Sequence, residues 1–405
     1  MSRILLVTRN LPPLVGGMER LNWHMAEELA KVAEVRVVGP EGSGVLAPAG
    51  VEVREVPLKP LWRFLLRAHA LARREARVWR PDIVLAGSGL TAPLARSAAR
   101  ACGARTAVYV HGLDVAVKHA VYRALWLPAI RRMDRVIANS RATVELCLGI
   151  GVDPARIGIV HPGVDLPKAM AGPVLATDPE LPCPDASASG DPGAGSRDHG
   201  ASSWAFRKRH GLGGGPLLLS VGRLSARKGL REFVTRTLPR VVAAHPDAHL
   251  LVVGDAPLQA LHAEAQTPAS IQAAADAAGV GRNVKFLGVI TDYDELGTVY
   301  RASDVHVFPV REIPGDPEGF GMVAVEAAAH GLPTVAFATG GVVDAVSEGK
   351  SGFLVVAGGY PAFVDAVERA LGQREAMRSS CIAFARQFAW PEFGSRITAQ
   401  LASIH

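Results

Sequence analysis

The chain has 405 residues, enough for about two to three domains, and 49% of them are hydrophobic, which is ample for well-filled cores. Its first residues, MSRILLVTRN, form one strand-like run that is too short and too polar for a signal peptide, and no apolar run of about 18 residues follows. The 4 cysteines are scattered without a disulfide or zinc pattern, so we expect a cytoplasmic protein. Residues 1–168 carry 24 Lys and Arg against 14 Asp and Glu, whereas the remainder is slightly acidic, so the first part is expected to face an anionic surface or substrate.

Strand-like and helical stretches alternate along residues 1–165, which form the first predicted domain. The first helix is predicted over Gly17–Val32, and the strands over Ile4–Val7, Val35–Val38, Ile83–Ala86, Thr106–Val110, Arg135–Ala138 and Ile157–Val160. This alternation is typical of a parallel sheet built from βαβ units, which binds ligands at the carboxyl ends of its strands.

A second domain follows a change in composition. Residues 166–203 are rich in Pro, Gly, Ala, Ser and Asp and predict a low-complexity linker or insertion. Residues 204–384 repeat the alternation, with strands predicted over Leu217–Val221, Leu250–Val253, Val284–Leu287, Val305–Phe308, Thr334–Ala336 and Gly352–Val355. The predicted fold class is α/β, with two doubly wound Rossmann-like domains facing each other across a cleft. A last helix over about Phe393–Ile404, within residues 385–405, is expected to pack back on the first domain.

Two turns of the first domain are candidates for ligand contacts. Gly16 and Gly17 follow the first strand and open the first helix, where close backbone approach and free N–H groups favour a phosphate. His111 and Asp114, in the sequence HGLD, directly follow the strand Thr106–Val110 and would face the cleft. The alternatives are a plain strand-to-helix turn for the glycines and a structural turn with a capping Asp for HGLD.

The segment Lys59–Arg80 predicts a basic amphipathic helix, with seven basic residues, one acid and large apolar residues such as Trp62 and Phe64. Such a helix can bind an anionic membrane surface, and the alternative is a solvated helix packed on the sheet. The arginines expected to form the membrane patch are Arg63, Arg67, Arg73, Arg74 and Arg77.

The second domain places positive charge directly after its first strand. Arg223 and Lys228, in the sequence GRLSARKG, suit a pyrophosphate because Arg offers a planar fork and Lys a point charge. The same pair would neutralise a departing diphosphate, unless both are solvated loop cations. Asp292 and Asp294 have the spacing of a divalent-metal motif, but an N-cap and first-turn acids explain them better, so no metal site is predicted.

The sequence PEGFGMVAVEAAAHG, residues 317–331, is the most informative in the chain. Glu318 lies in a Gly-flanked turn, and Glu326 lies on the helix that the turn opens. The helix N-terminus offers free N–H groups to an anion, and the two carboxylates could hold hydroxyls on either side of it. This arrangement suits a sugar nucleotide, and the alternative is an ordinary turn leading into a buried Ala-rich helix.

With these motifs, the sequence resembles the family 4 retaining glycosyltransferases, which have the GT-B architecture. The resemblance covers nearly the whole chain and rests on the Gly16-Gly17 loop, HGLD, Ala138-Asn139-Ser140, His161-Pro162-Gly163-Val164-Asp165, GRLSARKG, FLGVI and EGFGMVAVEAAAHG. It implies transfer of a hexose from a nucleotide-diphosphate donor with retention of the α-anomer, and no required metal or cofactor.

The resemblance also implies roles for individual residues. Arg223 and Lys228 would bind the donor diphosphate, Glu318 the sugar hydroxyls and Glu326 the ribose, and His111 would contact the transferred sugar. The implied catalytic residues are His111, Arg223, Lys228 and Glu318. The implied donor-binding residues are Gly16, Gly17, Arg223, Lys228, Val289, Ile290, Glu318, Gly319, Phe320, Gly321, Met322, Val323 and Glu326. Arg20 and Asp114 are assigned to the acceptor or sugar side.

The same resemblance suggests mannose from GDP-mannose as the first candidate donor and a UDP-hexose as the second. Because the basic first domain faces the acceptor in this family, we expect a lipid-linked or cell-surface glycan acceptor, and a peripheral position on the inner face of the cytoplasmic membrane. No nucleic-acid partner is predicted. Two alternatives stay open: a nucleotide-sugar epimerase or phosphorylase of the same fold, and a non-catalytic sugar-nucleotide-binding protein.

Overall fold

The computed structural model describes residues 2–167, 201–256 and 266–404, and the statements below refer to these ranges. The predicted linker over residues 166–203 lies outside the described residues except at its two ends. The domain boundaries at 165, 204 and 384 therefore stay predictions, and the two sheets are described by their own residues.

The first sheet has seven parallel strands in the order β3-β2-β1-β4-β5-β6-β7. They are β1 Arg3–Val7, β2 Glu34–Pro40, β3 Val51–Val56, β4 Ile83–Ala86, β5 Arg105–Val110, β6 Arg135–Ala138 and β7 Ile157–Ile159. The six predicted strands are confirmed, and β3 is an additional edge strand. Its charged residues alternate with valines, and it is only partly buried, so it lacks the continuous apolar run of the inner strands.

Helices cover both faces of this sheet. They are α1 Gly17–Ala30, α2 Leu61–Trp79, α3 Ala92–Arg100, α4 Gly112–Ala116, α5 Ala120–Arg131 and α6 Arg141–Gly149. Buried residues of α2, α3 and α5 share one core on one face, including Phe64, Leu94 and Ile130. Helix α1 packs on the opposite face, where Leu21 and Met25 are buried.

The second sheet has six parallel strands in the order β10-β9-β8-β11-β12-β13. They are β8 Leu217–Val221, β9 His249–Val253, β10 Val284–Gly288, β11 Val305–Phe308, β12 Thr334–Phe337 and β13 Gly352–Val355, which confirms the six predicted strands. In both sheets the strand order reverses in the middle, between β1 and β4 and between β8 and β11. Ligands of doubly wound sheets bind at the carboxyl ends of the strands beside this reversal.

The second set of helices is α7 Ala201–Arg209, α8 Leu230–Arg236, α9 Leu238–Ala244, α10 Pro268–Ala277, α11 Tyr293–Ala302, α12 Met322–Ala329, α13 Val342–Ala345, α14 Tyr360–Arg386 and α15 Trp390–Ala402. Helix α15 returns to the first sheet, where Trp390, Phe393 and Ile397 lie in the same buried core as α1. In the ranges that the structure describes, no helix is long and apolar enough to cross a membrane.

Candidate active site

The turn between β11 and α12 brings both predicted carboxylates to the carboxyl edge of the second sheet. Gly321, the residue before α12, has a φ of 97°, a left-handed conformation that side chains disfavour. A Cβ at this position would also lie 2.9 Å from the ring of Phe308. The glycine thus lets the chain turn sharply into the helix, with Glu318 before the turn and Glu326 on the helix.

The Glu318 carboxylate is mostly buried between two cations. Its Oε2 accepts a hydrogen bond from Lys228 Nζ at 2.9 Å and lies 3.3 Å from Arg227 Nε. Burial by itself would raise the pKa of Glu318, but Lys228 and Arg227 outweigh it and hold the pKa below its ordinary value. The pKa of Lys228 is lowered by burial, an effect that Glu318 opposes. The pair is therefore a direct contact between two predicted site residues.

Arg227 is a site residue that the sequence analysis did not single out, although it lies within GRLSARKG. Its guanidinium donates hydrogen bonds to Asp316 Oδ1 at 2.6 Å and to the Pro317 carbonyl at 3.1 Å. Arg227 thereby ties the loop after β8 to the turn that carries Glu318. The only sequence signal was a third positive charge beside Lys228.

Arg223 is more exposed to solvent than Arg227 and Lys228. It is exposed, and no hydrogen bond or ion pair of its side chain exists among the described residues. Arg223 and Lys228 line one small cavity together with Gly222 and Phe308. The structure thus brings the two predicted diphosphate-binding side chains together, with Arg223 uncommitted to a protein partner.

Glu326 is paired across the cleft. Its Oε1 accepts a hydrogen bond from Arg20 of α1, and its Oε2 accepts one from the Tyr300 hydroxyl at 3.2 Å. Burial alone would lower the pKa of Arg20, but the Glu326 carboxylate reverses this effect and raises it. Arg20, assigned from sequence to the acceptor or sugar side, is thus placed against the carboxylate predicted to bind ribose.

A cavity of about 1250 Å³ lies between the two sheets at this point. A Cβ on Gly17 would lie 3.5 Å from Met322 Sδ, so the first turns of α1 and α12 approach each other. Two helix N-termini directed at one cavity favour an anion there. The predicted residues that line the cavity are Gly16, Gly17, Arg20, Val289, Ile290, Met322, Val323 and Glu326.

The HGLD turn abuts the Glu318 turn from the opposite side. A Cβ on Gly112 would lie 3.2 Å from Pro317 and 3.7 Å from Gly319, so the two turns are in contact. Burial lowers the pKa of His111, and its Nε2 is buried with no hydrogen-bond partner among the described residues. Asp114 Oδ2 accepts a hydrogen bond from the His111 backbone N–H at 2.9 Å. Asp114 therefore caps the turn, as the structural alternative proposed.

Asp292 is confirmed as an N-cap. Its side chain precedes α11 and accepts a hydrogen bond from the Glu295 backbone N–H at 2.8 Å. Within the described ranges, no group of three or more His, Cys, Asp or Glu side chains could hold a metal ion. Asp294 follows within the first turn and lines the large cavity.

A second pair joins the two halves of the protein beside the site. Asp344 of α13 accepts hydrogen bonds from the Arg141 backbone N–H at 2.6 Å and from Arg141 Nε. The Asp344 side chain is only 2% exposed, and it meets the first turn of α6. Neither residue was predicted, because no local pattern shows that α13 meets α6.

Comparison with known proteins agrees with this geometry. Residues 202–388 match the family described as Glycosyl transferases group 1, and residues 15–168 match Glycosyltransferase Family 4. The chain is 30% identical over 391 residues to a GDP-mannose-dependent alpha-(1-6)-phosphatidylinositol monomannoside mannosyltransferase of Mycolicibacterium smegmatis, covering 91% of this chain and 88% of that protein. It is 31% identical over 269 residues to a D-inositol 3-phosphate glycosyltransferase of Actinosynnema mirum, covering 64% of this chain and 55% of that protein.

Solved structures of similar fold include Anabaena HepE in complex with UDP, with a TM-score of 0.73 at 20% identity over 100% of both chains. Sucrose-phosphate synthase from Thermosynechococcus elongatus has a TM-score of 0.75 at 19% identity, covering 100% of this chain and 99% of that one. At these identities the likeness shows the fold alone, and the fold is that of the GT-B glycosyltransferases.

The two sheets and the cleft between them thus have the GT-B architecture. The chain belongs to glycosyltransferase family 4 and is a retaining hexosyltransferase. The roles of its individual site residues stay predictions.

Proposed function

We propose that the enzyme transfers mannose from GDP-mannose to an anionic lipid-linked or cell-surface glycan with retention of the α-configuration. The observation that carries the proposal is the Glu318–Lys228 contact beside the HGLD turn. Similarity over nearly the whole chain to a GDP-mannose-dependent mannosyltransferase supports this donor. A UDP-hexose is the second candidate.

In the proposed complex, the donor diphosphate lies between the first turns of α1 and α12, with Arg223 and Lys228 neutralising its charge. Glu326 accepts hydrogen bonds from the ribose hydroxyls, which take the place of Arg20. Val289 and Ile290 lie beside the nucleobase. Each of these groups lines one of the two cavities described above.

The proposed reaction is a front-face substitution. The bond between the anomeric carbon and the phosphate oxygen breaks, and the acceptor oxygen bonds to the same face of that carbon. The acceptor proton passes to the departing phosphate oxygen, so no separate protein base is needed. Because burial lowers the pKa of His111, its neutral imidazole can hydrogen-bond a sugar hydroxyl without adding positive charge beside the developing oxocarbenium ion.

Donor choice is tested by thermal-shift titration of the full chain with GDP, UDP and ADP, alone and as their sugar conjugates. GDP-mannose is expected to give the largest stabilisation, because only ligands that bind the folded state raise the melting temperature. Transfer is then followed by mass spectrometry with a phosphatidylinositol mannoside acceptor. A preference for a UDP-sugar would replace the donor assignment, and C2 isotope exchange without acceptor would favour an epimerase.

The outer face of α2 supports a membrane position for the acceptor. The buried face of the helix includes Phe64 and Ala68, while Trp62 is 64% and Leu66 62% exposed. On α5, which packs in the same core, Leu125 is 60% exposed. The exposed arginines of α2 are Arg63, Arg67, Arg74 and Arg77, whereas Arg73 is half-buried and donates to Ser97 Oγ at 3.4 Å. Exposed aromatic and basic groups together favour an anionic lipid surface.

Co-sedimentation with phosphatidylglycerol vesicles tests this position. The wild-type chain is expected to bind, and exchanging Arg67, Arg74 and Arg77 for Gln is expected to weaken binding steeply, since each basic residue contributes about 1 kcal/mol near such a surface. The matched control exchanges the exposed Arg231, Arg240 and Arg282 of the second half, which changes the net charge equally. Equal losses in both variants, or no wild-type binding, would remove the membrane from the proposal.

A further inference from the structure

Arg227 contacts the turn from Asp316 to Glu318 more extensively than Arg223 or Lys228 does. It reaches Asp316, the Pro317 carbonyl and the Glu318 carboxylate, three consecutive residues. Its side chain is only 11% exposed, and that of Asp316 is 14% exposed. The contacts with Asp316 and Pro317 are charge-assisted hydrogen bonds, and the contact with Glu318 is an ion pair. Contacts of this kind, shielded from solvent, fix the position of the groups that they join.

Two anionic groups compete for the single positive charge of Lys228, namely Glu318 and the proposed donor diphosphate. Lys228 Nζ lies 2.9 Å from Glu318 Oε2, and Lys228 also lines the small cavity shared with Arg223. A donor diphosphate held by Arg223 and Lys228 competes with Glu318 for Lys228. The carboxylate would then have to accept hydrogen bonds from the sugar while it loses its closest cation, in surroundings where an unpaired charge is strongly disfavoured.

We propose that Arg227 is a positioning residue that holds Glu318 in its sugar-binding orientation when the donor diphosphate draws Lys228 away. This inference rests on the proposed function, because it takes Glu318 as the ligand of the donor sugar. Arg227 itself touches neither the sugar nor the phosphate. It acts through the turn from Asp316 to Glu318.

The geometry around the turn supports this role. The Arg227 carbonyl accepts a hydrogen bond from the Arg311 backbone N–H at 2.7 Å, so the backbone that carries the guanidinium is tied to the same segment. On the other side, Gly112 packs against Pro317 and Gly319. The turn is thus fixed on one side by Arg227 and on the other by the HGLD turn.

The test compares nucleotide and nucleotide-sugar binding in Arg227→Ala. Calorimetric titrations use GDP against GDP-mannose and UDP against UDP-glucose, and turnover is measured with the preferred donor. In Arg227→Ala the affinity for the bare nucleotide is expected to stay within about twofold of wild type, because Arg223 and Lys228 remain. Turnover and the extra affinity that the sugar supplies are expected to fall at least about tenfold, since only interactions with the reacting sugar are lost.

Three further variants distinguish a positioning role of Arg227 from a general loss of structure. Arg227→Lys keeps one charge and is expected to restore part of the turnover, and Asp316→Asn is expected to give a smaller loss in the same direction. Arg231→Ala removes an exposed arginine at the start of α8 and is expected to behave as wild type. Asp316→Asn only replaces one carboxylate oxygen with an amide NH2 group, so it provides the test if Arg227→Ala does not fold.

The outcomes distinguish the inference from the function on which it rests. If wild type binds none of the four nucleotides, the proposed function fails and the inference falls with it. If wild type discriminates sugar from nucleotide and Arg227→Ala discriminates equally well, only the inference is overturned. Equal losses of bare-nucleotide and nucleotide-sugar affinity would likewise overturn it, because they would assign Arg227 to the diphosphate.

Discussion

At the scale of single residues, charged side chains of the candidate site form ion pairs with each other. Lys228 pairs with Glu318 and Arg20 pairs with Glu326, and each pair joins a cation and a carboxylate that a nucleotide sugar would separate. A buried carboxylate without a partner would cost several kcal/mol, so these contacts stabilise the folded site. In the proposed function, donor binding would therefore be an exchange of partners, in which the exposed Arg223 would meet the diphosphate first.

This exchange predicts that Arg223 and Lys228 are both needed for turnover but act differently. Replacing either with Ala is expected to raise the reaction barrier by about 2–4 kcal/mol, because each removes a charge that stabilises the departing diphosphate. Only Lys228→Ala is expected to lower stability as well, since it leaves Glu318 with Arg227 alone. Turnover and urea unfolding of both variants check this, with Arg231→Ala as control. Wild-type turnover in both would exclude the diphosphate assignment.

Sequence predicts these residues better than it predicts their partners. Lys228 and Glu318 stand in recognisable motifs, yet they lie 90 positions apart, and Arg20 lies 306 positions from Glu326. Motif spacing describes a turn and its local conformation, whereas pairing depends on where separate loops meet. Arg227 was overlooked for the same reason, because its contacts with Asp316 exist only in the folded chain.

At the scale of helices and strands, the sequence predicts the inner strands better than it predicts the edge strand and the helix ends. Inner strands such as β1 read as continuous apolar runs and were predicted, while the half-exposed edge strand β3 was not. Helix α15 begins at Trp390 rather than Phe393 because Pro391 occupies its first turn, where a missing N–H is harmless. Helix α2 fits both of its predicted alternatives, with one face packed on the sheet and the other exposed.

His306, on strand β11, is expected to make the stability of the protein sensitive to acid. Burial, with Lys228 nearby, lowers the pKa of His306 to about 3, and its Nδ1 lies 3.1 Å from Thr334 Oγ1 on the adjacent strand. The folded state thus keeps this ring neutral, while the unfolded chain takes up a proton below its ordinary pKa of about 6.5. Stability is therefore complete above pH 6.5 and is lost as the pH falls, by about 2 kcal/mol for this one residue at pH 5.

Urea unfolding at pH 7 and pH 5 measures this effect. His306→Asn is expected to be less stable than wild type at pH 7 but to lose about 2 kcal/mol less on acidification, because its side chain cannot titrate. His119→Asn, at an exposed position before α5, provides the control. A pH dependence that is the same in wild type and His306→Asn would show that other groups carry the acid sensitivity.

At the scale of the whole molecule, specific polar contacts around the cleft help to join the two halves. Arg20 reaches Glu326 beside the large cavity, and Arg141 reaches Asp344 beside the HGLD turn. Helix α15 adds a third connection, since Trp390 Nε1 donates to Asp165 Oδ1 at 2.9 Å. The donor would enter between the first two contacts and break one of them. Closure of the halves and occupation of the cleft are therefore coupled through Arg20.

This coupling predicts that the double variant Arg20→Ala, Arg141→Ala opens the ligand-free molecule. Loss of the two ion pairs is expected to shift the open–closed equilibrium by about 1–3 kcal/mol, because both carboxylates are largely buried and the pairs span the halves. Small-angle X-ray scattering should show a larger radius of gyration than in wild type, and saturating nucleotide sugar should reduce the difference by bridging the halves. The control Arg3→Ala, Arg156→Ala removes two pairs within the first half, Arg3–Glu34 and Arg156–Asp153. Equal radii in all three proteins would show that other contacts, such as those of α15 and of the HGLD turn, hold the halves together, and that the two ion pairs do not control closure.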